Sequence, residues 1–161
     1  MIISENLGKW LINAYPPFVF NRIKIKHFGK GYRSCKVRIS KSFLNRNMNG
    51  TIFGGSLFSA SDPFYAILYW QIFERKKLKV QTWLKSANIQ YLKPADCDLF
   101  LDFNLSEQDI EEAEKSLLSI GRYKKVHEIP YVSKNGDVYV IAQTEVYIRL
   151  TKSEQKTLSG F

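Results

Sequence analysis

Between Leu57 and Phe73 the chain carries its longest apolar run, and Phe58, Phe64, Ile67, Leu68, Trp70, Ile72 and Phe73 fall on nearly every face of the helix it would form. A helix that is apolar all round has to be enclosed on several sides. The rest of the sequence supplies the enclosure. "NRIKIKHF" and "SCKVRIS" alternate apolar with basic residues, the period of half-buried strands. "TWLKSANIQYL", "DLFLDFN", "RYKKVHEIPYV" and "DVYVIAQTEVYIRL" read as four more, the last with Val138, Val140, Ala142, Thr144, Val146 and Ile148 inward. The order helix, two strands, central helix, strands, short helix, hairpin predicts an α+β fold, with an antiparallel sheet curled round one buried helix.

Local signals set the element ends. Ser4 caps a helix over residues 4–14 whose Leu7, Trp10, Leu11 and Ala14 share one face, and Pro16-Pro17 stop it. Arg75-Lys76-Lys77 close the central helix, where cations suit a C-terminus. Ser106 and Asp109 have capping-box spacing, and Gly121 ends the short acidic helix that follows. Lys134-Asn135-Gly136-Asp137 predicts a type I′ hairpin turn.

At 161 residues the expectation is a single domain: the helix at 4–14, a core over 18–150 and a short tail over 151–161. The apolar run is broken by Ser59, Ser61, Asp62, Pro63 and Gln71, so no transmembrane segment is expected. Residues 1–6 lack a basic stretch leading into a long apolar one, which predicts a cytoplasmic protein. Cys35 and Cys97 match no ligand spacing and read as free thiols in a reducing compartment. His27 and His127, both in strand-like runs, read as surface or interface residues. Neither a metal site nor a cofactor is expected. The net charge of +9 suits nucleic acid, an anionic membrane face, a polyanionic small molecule, or solubility alone. Nucleic acid is disfavoured by the lack of a helix-turn-helix, a zinc pattern or an RNA-binding aromatic motif.

Asp62-Pro63 in the middle of the apolar run invites two readings. Asp before Pro is a natural cap followed by a first-turn proline, restarting a kinked helix. A carboxylate in apolar surroundings is also a general base or nucleophile. Upstream, Gly54-Gly55 suits a tight turn, or a close backbone approach whose N–H groups meet developing negative charge. Asn47 and Asn49 suit loop bonds, with Asn47 also a candidate ligand for substrate or water. Thr51 suits a cap or loop bond.

Three stretches together resemble the hotdog-fold acyl-CoA thioesterases: "N-x-N-G-T-x-F-G-G-S-L-F-S-x-x-D-P-F-Y" from Asn47, "S-A-N-I-Q-Y-L-K-P" from Ser86 and "N-G-D-V-Y-V-I-A-Q-T-E-V-Y-I-R" from Asn135. More narrowly they resemble a hotdog family catalogued as a domain of unknown function, related to the phenylacetyl-CoA and acyl-CoA thioesterases. The resemblance runs from about Pro16 to Leu150. It implies a long helix wrapped by the sheet, and a homodimer or dimer of dimers with active sites at the subunit interface. It also implies a catalytic set of Asn47, Gly54, Gly55 and Asp62, the Asp following the first Gly by eight residues. Phe53 stands where those enzymes carry His. The Ser or Thr that some supply from the strand after the helix has no clean counterpart, Thr82 and Ser86 being nearest.

The function so implied is hydrolysis of a small-molecule thioester on coenzyme A or an acyl carrier. Phe58, Phe64, Tyr65 and Trp83 would line the pocket, and Thr51, Phe53 and Ser86 complete the substrate-binding set. Basic residues at Arg75-Lys76-Lys77 or at Arg122, Lys124 and Lys125 would attract the phosphates of coenzyme A. The alternative, favoured by Phe53, is a non-catalytic protein that binds acyl groups or acyl-CoA.

Overall fold

The structure is a computed structural model describing residues 1–154; residues 155–161 of the expected tail lie outside the described residues. Helices α1 (Glu5–Asn13) and α2 (Pro16–Phe20) precede strand β1 (Ile23–Phe28), a 3-10 turn at Lys30–Tyr32 and strand β2 (Ser34–Ile39). A loop leads into α3 (Gly54–Ser59) and α4 (Phe64–Arg75), then β3 (Val80–Tyr91) and β4 (Leu99–Asn104). Helix α5 (Glu107–Ile120) and the hairpin β5 (Arg122–Val132) and β6 (Val138–Leu150) complete the fold. All six strands form one antiparallel sheet in the order β1-β2-β4-β5-β6-β3.

Alternation in the sequence becomes the two faces of this sheet. Cys35, Val37 and Ile39 of β2, Leu99, Leu101 and Phe103 of β4, and Val140, Ala142, Val146 and Ile148 of β6 are all buried on the concave side. They meet Phe64, Leu68, Tyr69 and Phe73 of α4, each fully enclosed. Burying one such side chain is worth roughly 1.5–3 kcal/mol, so this contact dominates the folding free energy. Burial also pushes the Cys35 thiol pKa up, as suits an inert core cysteine.

Strands β4 and β5 meet at one residue pair, Phe100 and Val132, and otherwise splay apart. Helix α5 covers the gap with Ile110, Ala113 and Leu117. Its predicted capping box is present: Ser106 Oγ accepts from the Asp109 amide, Asp109 Oδ2 accepts from the Ser106 amide, and Gly121 takes the left-handed conformation at φ 72°.

Several expectations need correction. The apolar run forms two helices and not one kinked helix, because the chain leaves helical geometry between Ser59 and Phe64, where the Asp62-Pro63 peptide is cis. Pro63 and not Asp62 occupies the residue before α4, and no side chain caps that helix. The β5–β6 turn is not type I′, which needs positive φ at both central residues. Gly136 alone has it, at φ 89°; the Gly136 amide donates to Ser133 O and the Ser133 amide to Asp137 O, as in a three-residue turn with a glycine bulge. His127 is buried and not a surface residue. It stacks on Tyr65 at 3.9 Å and its Nε2 is hydrogen-bonded to the Tyr69 hydroxyl at 3.3 Å.

Helix α1 keeps its predicted span but turns its apolar stripe outward, Leu7, Trp10 and Leu11 being exposed. Its opposite side docks through polar and small residues. Gly8 lies under Tyr32, where a Cβ would come within 2.1 Å of the hydroxyl. Asn13 pairs with both backbone groups of Ile25, Nδ2 donating to its carbonyl at 3.0 Å and Oδ1 accepting from its amide at 2.7 Å. One outer edge of the sheet is therefore occupied by a side chain. At the other, the twelve residues of β3 pair with β6 on one side and meet no strand on the other.

Candidate active site

Five of the residues singled out in the sequence line two cavities along the open β3 edge, Asp62 and Trp83 in one and Asn47, Thr51 and Gly54 in the other. The first is a groove of about 760 Å³ at the Val80 end, walled by Asp62, Ala66, Ile67, Trp70 and Thr82 with Trp83 and Arg149. The second, about 360 Å³, lies at the Tyr91 end and is walled by Asn47, Thr51, Gly54 and Leu57 with Tyr91 and Pro94.

Asp62 stands in the break between α3 and α4, which is what turns its side chain out of the helical ladder and into the groove. Burial pushes its carboxyl pKa up, and no hydrogen bond or neighbouring cation among the described residues offsets this. Among the described residues it is the one carboxylate whose pKa burial carries upward, where Asp109, Glu112 and Glu145 are held down by lysines. Behind it lies a chamber of about 10 Å³, lined by Asp62, Ser61, Tyr65, Leu84 and Thr144, with room for about one water-sized sphere. Thr144 Oγ1 is buried there without a hydrogen-bond partner. A buried hydroxyl is costly to leave without a partner, and a chamber of this size has room for a water to supply one. Thr144 escaped sequence reasoning; the available signal was a lone hydroxyl on an otherwise apolar inward row.

The second cavity is built by loop bonds. Asn47 Oδ1 accepts from the Asn49 and Thr51 amides while its Nδ2 donates to Thr51 Oγ1 at 2.9 Å, so both residues hold the loop closed. The deeper anchor is Asn45, buried, whose Nδ2 donates to the carbonyls of Asn21 and Ser40. Gly54 is pressed by Tyr91, whose hydroxyl donates to the Gly54 carbonyl at 3.0 Å and would lie 3.2 Å from an added Cβ. At Gly55 a Cβ would fall 2.4 Å from Cε1 of Phe53, whose ring lies across the turn. The amides of Gly54 and Gly55 open α3 and have no acceptor among the described residues.

Other expected site residues sit elsewhere. Phe64 packs between Phe18 and Phe103 in the core, with ring centroids 5.6 and 4.9 Å away, so it is no lining residue. Tyr65 is buried and reaches only the small chamber behind Asp62. Thr82 Oγ1 donates to the Ala66 carbonyl and ties β3 to α4. Ser86 bonds Glu145 on the convex face, beside Lys85, and lines neither cavity. Trp83 walls the groove with its ring against Tyr147 and under the Arg149 guanidinium. Phe58 is exposed and walls neither cavity. Among the described residues no cluster of His, Cys, Asp or Glu could hold a metal ion, and no helix is long and apolar enough to cross a membrane.

An antiparallel six-stranded sheet curled round a central helix defines a hotdog-fold protein. The chain belongs to the family described as a domain of unknown function, DUF4442, whose model matches residues 5–148. Solved structures agree on the fold. A protein of unknown function from Pseudomonas aeruginosa, named a probable thioesterase, superposes with a TM-score of 0.81 at 18% identity, over 94% of this chain and 99% of its own. A thioesterase from Haemophilus influenzae gives 0.67 at 10% identity, over 93% of each chain. The PaaI protein from the phenylacetic acid degradation operon of E. coli gives 0.62 at 13%, over 89% of this chain and 91% of its own. No curated protein matches by sequence.

Proposed function

We propose that the protein is a homodimeric thioesterase that hydrolyses acyl thioesters of coenzyme A or an acyl carrier, with Asp62 activating the attacking water. The observation that carries this reading is the desolvated, unpartnered Asp62 carboxylate in an open groove. The open edge of β3 supports the dimer. Asp62 and Gly54 line separate cavities, so the Asp62 groove and the Gly54-Gly55 turn serve one carbonyl poorly within a single chain. Antiparallel pairing of β3 with its copy brings the Asp62 end of one chain beside the Gly54 end of the other and covers an exposed strand edge.

In such a site Asp62 takes a proton from water as its oxygen bonds the thioester carbon. The carbonyl oxygen, now negative, accepts from the free amides of the second copy's Gly-Gly turn, whose loss costs about 2.7–4 kcal/mol of barrier in comparable oxyanion sites. Collapse breaks the C–S bond as the Asp62 carboxyl returns its proton to the leaving sulfur, giving a carboxylic acid, a thiol and the Asp62 carboxylate again. Because burial raises the Asp62 pKa, the acid limb of the pH–rate profile lies above the ordinary aspartate value of 3.8 and disappears in Asp62→Asn.

The test of the reading is thiol release from short-, medium- and long-chain acyl-CoAs and from an acyl carrier. A folded protein that releases thiol from none of them refutes it. One observation favours a second reading, a non-catalytic acyl-binding protein: the Phe53 ring lies over Gly55, half exposed, where the related enzymes carry His. Saturable binding of a non-hydrolysable acyl-CoA by an inactive chain would establish that alternative.

A further inference from the structure

We propose that α1, α2, the loop around Phe43 and the outer side of the β1–β2 hairpin form a surface that docks on an anionic lipid bilayer. This inference does not rest on the thioesterase reading. It starts from the outward stripe of α1, where Trp10 is 67% exposed and Leu7 50%. Val19 and Phe20 of α2 are exposed as well, and Phe43 is 76% exposed. The segments adjoin, because Asn45 Nδ2 bonds the carbonyl of Asn21 just beyond α2 and so fastens the 43–48 loop to it. An apolar patch of this kind on a folded chain marks a contact site.

Charge indicates what makes the contact. Residues 6–61 contain ten Lys or Arg and no Asp or Glu, while the chain's other fourteen cations share the remainder with all fifteen carboxylates. Within the stretch Arg33, Lys36 and Arg38 pair with Glu107, Asp102 and Asp98. The other seven, Lys9, Arg22, Lys24 and Lys26 among them, form no ion pair among the described residues. Lys24 lies directly across the hairpin from Arg38 but forms no ion pair with that residue's carboxylate, Asp98.

Exposed Trp, Tyr, Phe and Leu interleaved with unpaired cations suit an interface that is apolar a few ångströms beneath a layer of phosphates. A nucleic acid offers phosphates but no apolar layer for Leu7, Leu11 and Val19. A second copy of this face would set its unpaired cations against those of the first. Among the described residues no helix is long and apolar enough to cross a membrane, and the contact proposed is with the bilayer's surface.

The experiment is sedimentation of the full chain with phosphatidylcholine vesicles, with and without phosphatidylglycerol, alongside tryptophan emission. Expected are binding to the anionic vesicles only, weakening with salt, and a blue shift absent from Trp10→Phe. Lys24→Gln with Lys26→Gln weakens binding about 25-fold, at roughly fivefold per cation. Trp10→Ser with Leu11→Ser abolishes it, and both pairs are exposed, so Tm is retained. The proposal is overturned if the wild type ignores anionic vesicles, or if neither pair changes binding. It is likewise overturned if Trp10→Ser with Leu11→Ser splits a vesicle-free oligomer, which would make the face a contact between copies.

Discussion

Asp62→Asn lowers thioester turnover by about 10²–10⁴-fold, the contribution of a positioned general base, with Tm at or slightly above that of the wild type. The fold tolerates the change because the carboxylate makes no hydrogen bond to lose, and the neutral amide relieves the desolvation that raises the acid's pKa. Retained stability keeps the loss of rate from being a folding defect. The variant also tests where the site is assembled. Gly54→Val places a branched side chain against Tyr91 and blocks the other half of the proposed site. Refolded from an equimolar mixture with Asp62→Asn, half the dimers carry one chain of each kind. Each of these has one site with both lesions and one with neither, so the mixture recovers about one quarter of wild-type activity. If both halves served the same chain, no site in the mixture would be whole and activity would stay at background.

His127 takes away stability on the order of 3 kcal/mol between pH 6.5 and pH 4, and His127→Phe removes that part of the slope. His127 is held to a pKa of about 4 against an ordinary 6.5, chiefly because burial disfavours the imidazolium, with Lys125 acting in the same direction and Asp109 against it. Between those values the unfolded chain binds a proton that the folded chain does not. The stability present above pH 6.5 is therefore lost as pH falls toward 4, and below 4 no further loss comes from this group. The rings around it, Tyr65 and Tyr69, are themselves held un-ionised by burial, so they add no slope in this range. Chemical denaturation across this range, wild type against His127→Phe, measures the effect; an unchanged slope in the variant refutes it.

How much of this was legible in the sequence depends on the kind of force involved. The strands were, because a period of two is a direct record of which side is wet: Cys35, Val37 and Ile39 alternate with Lys36 and Arg38 in the letters as in the sheet. The α5 cap was too, being a bond among neighbours. The break at residues 60–63 was not, since the apolar letters run on through it and a local pattern cannot distinguish a bent helix from two. The orientation of α1 was hidden for a different reason. An apolar stripe normally points inward, yet here Gly8, Asn13 and Glu5 fix the docking, Glu5 by accepting the Gly31 amide and pairing with Arg75. Small and polar anchors outweigh the stripe, and nothing in a hydropathy pattern registers them.

Asp62 and the two glycines were conspicuous as residues. Their division between two cavities was not, because it depends on where β3 runs. Thr144 joins Asp62 from a strand far along the chain, so only the folded sheet makes them neighbours.

Asn13 has a consequence for the molecule in a crowded cell. Its side chain occupies both backbone groups of Ile25 at the β1 edge, where a further strand would otherwise pair. The side chain that seats the first helix therefore also guards that stretch of edge, and its loss would expose a second docking point for strands beside the open β3.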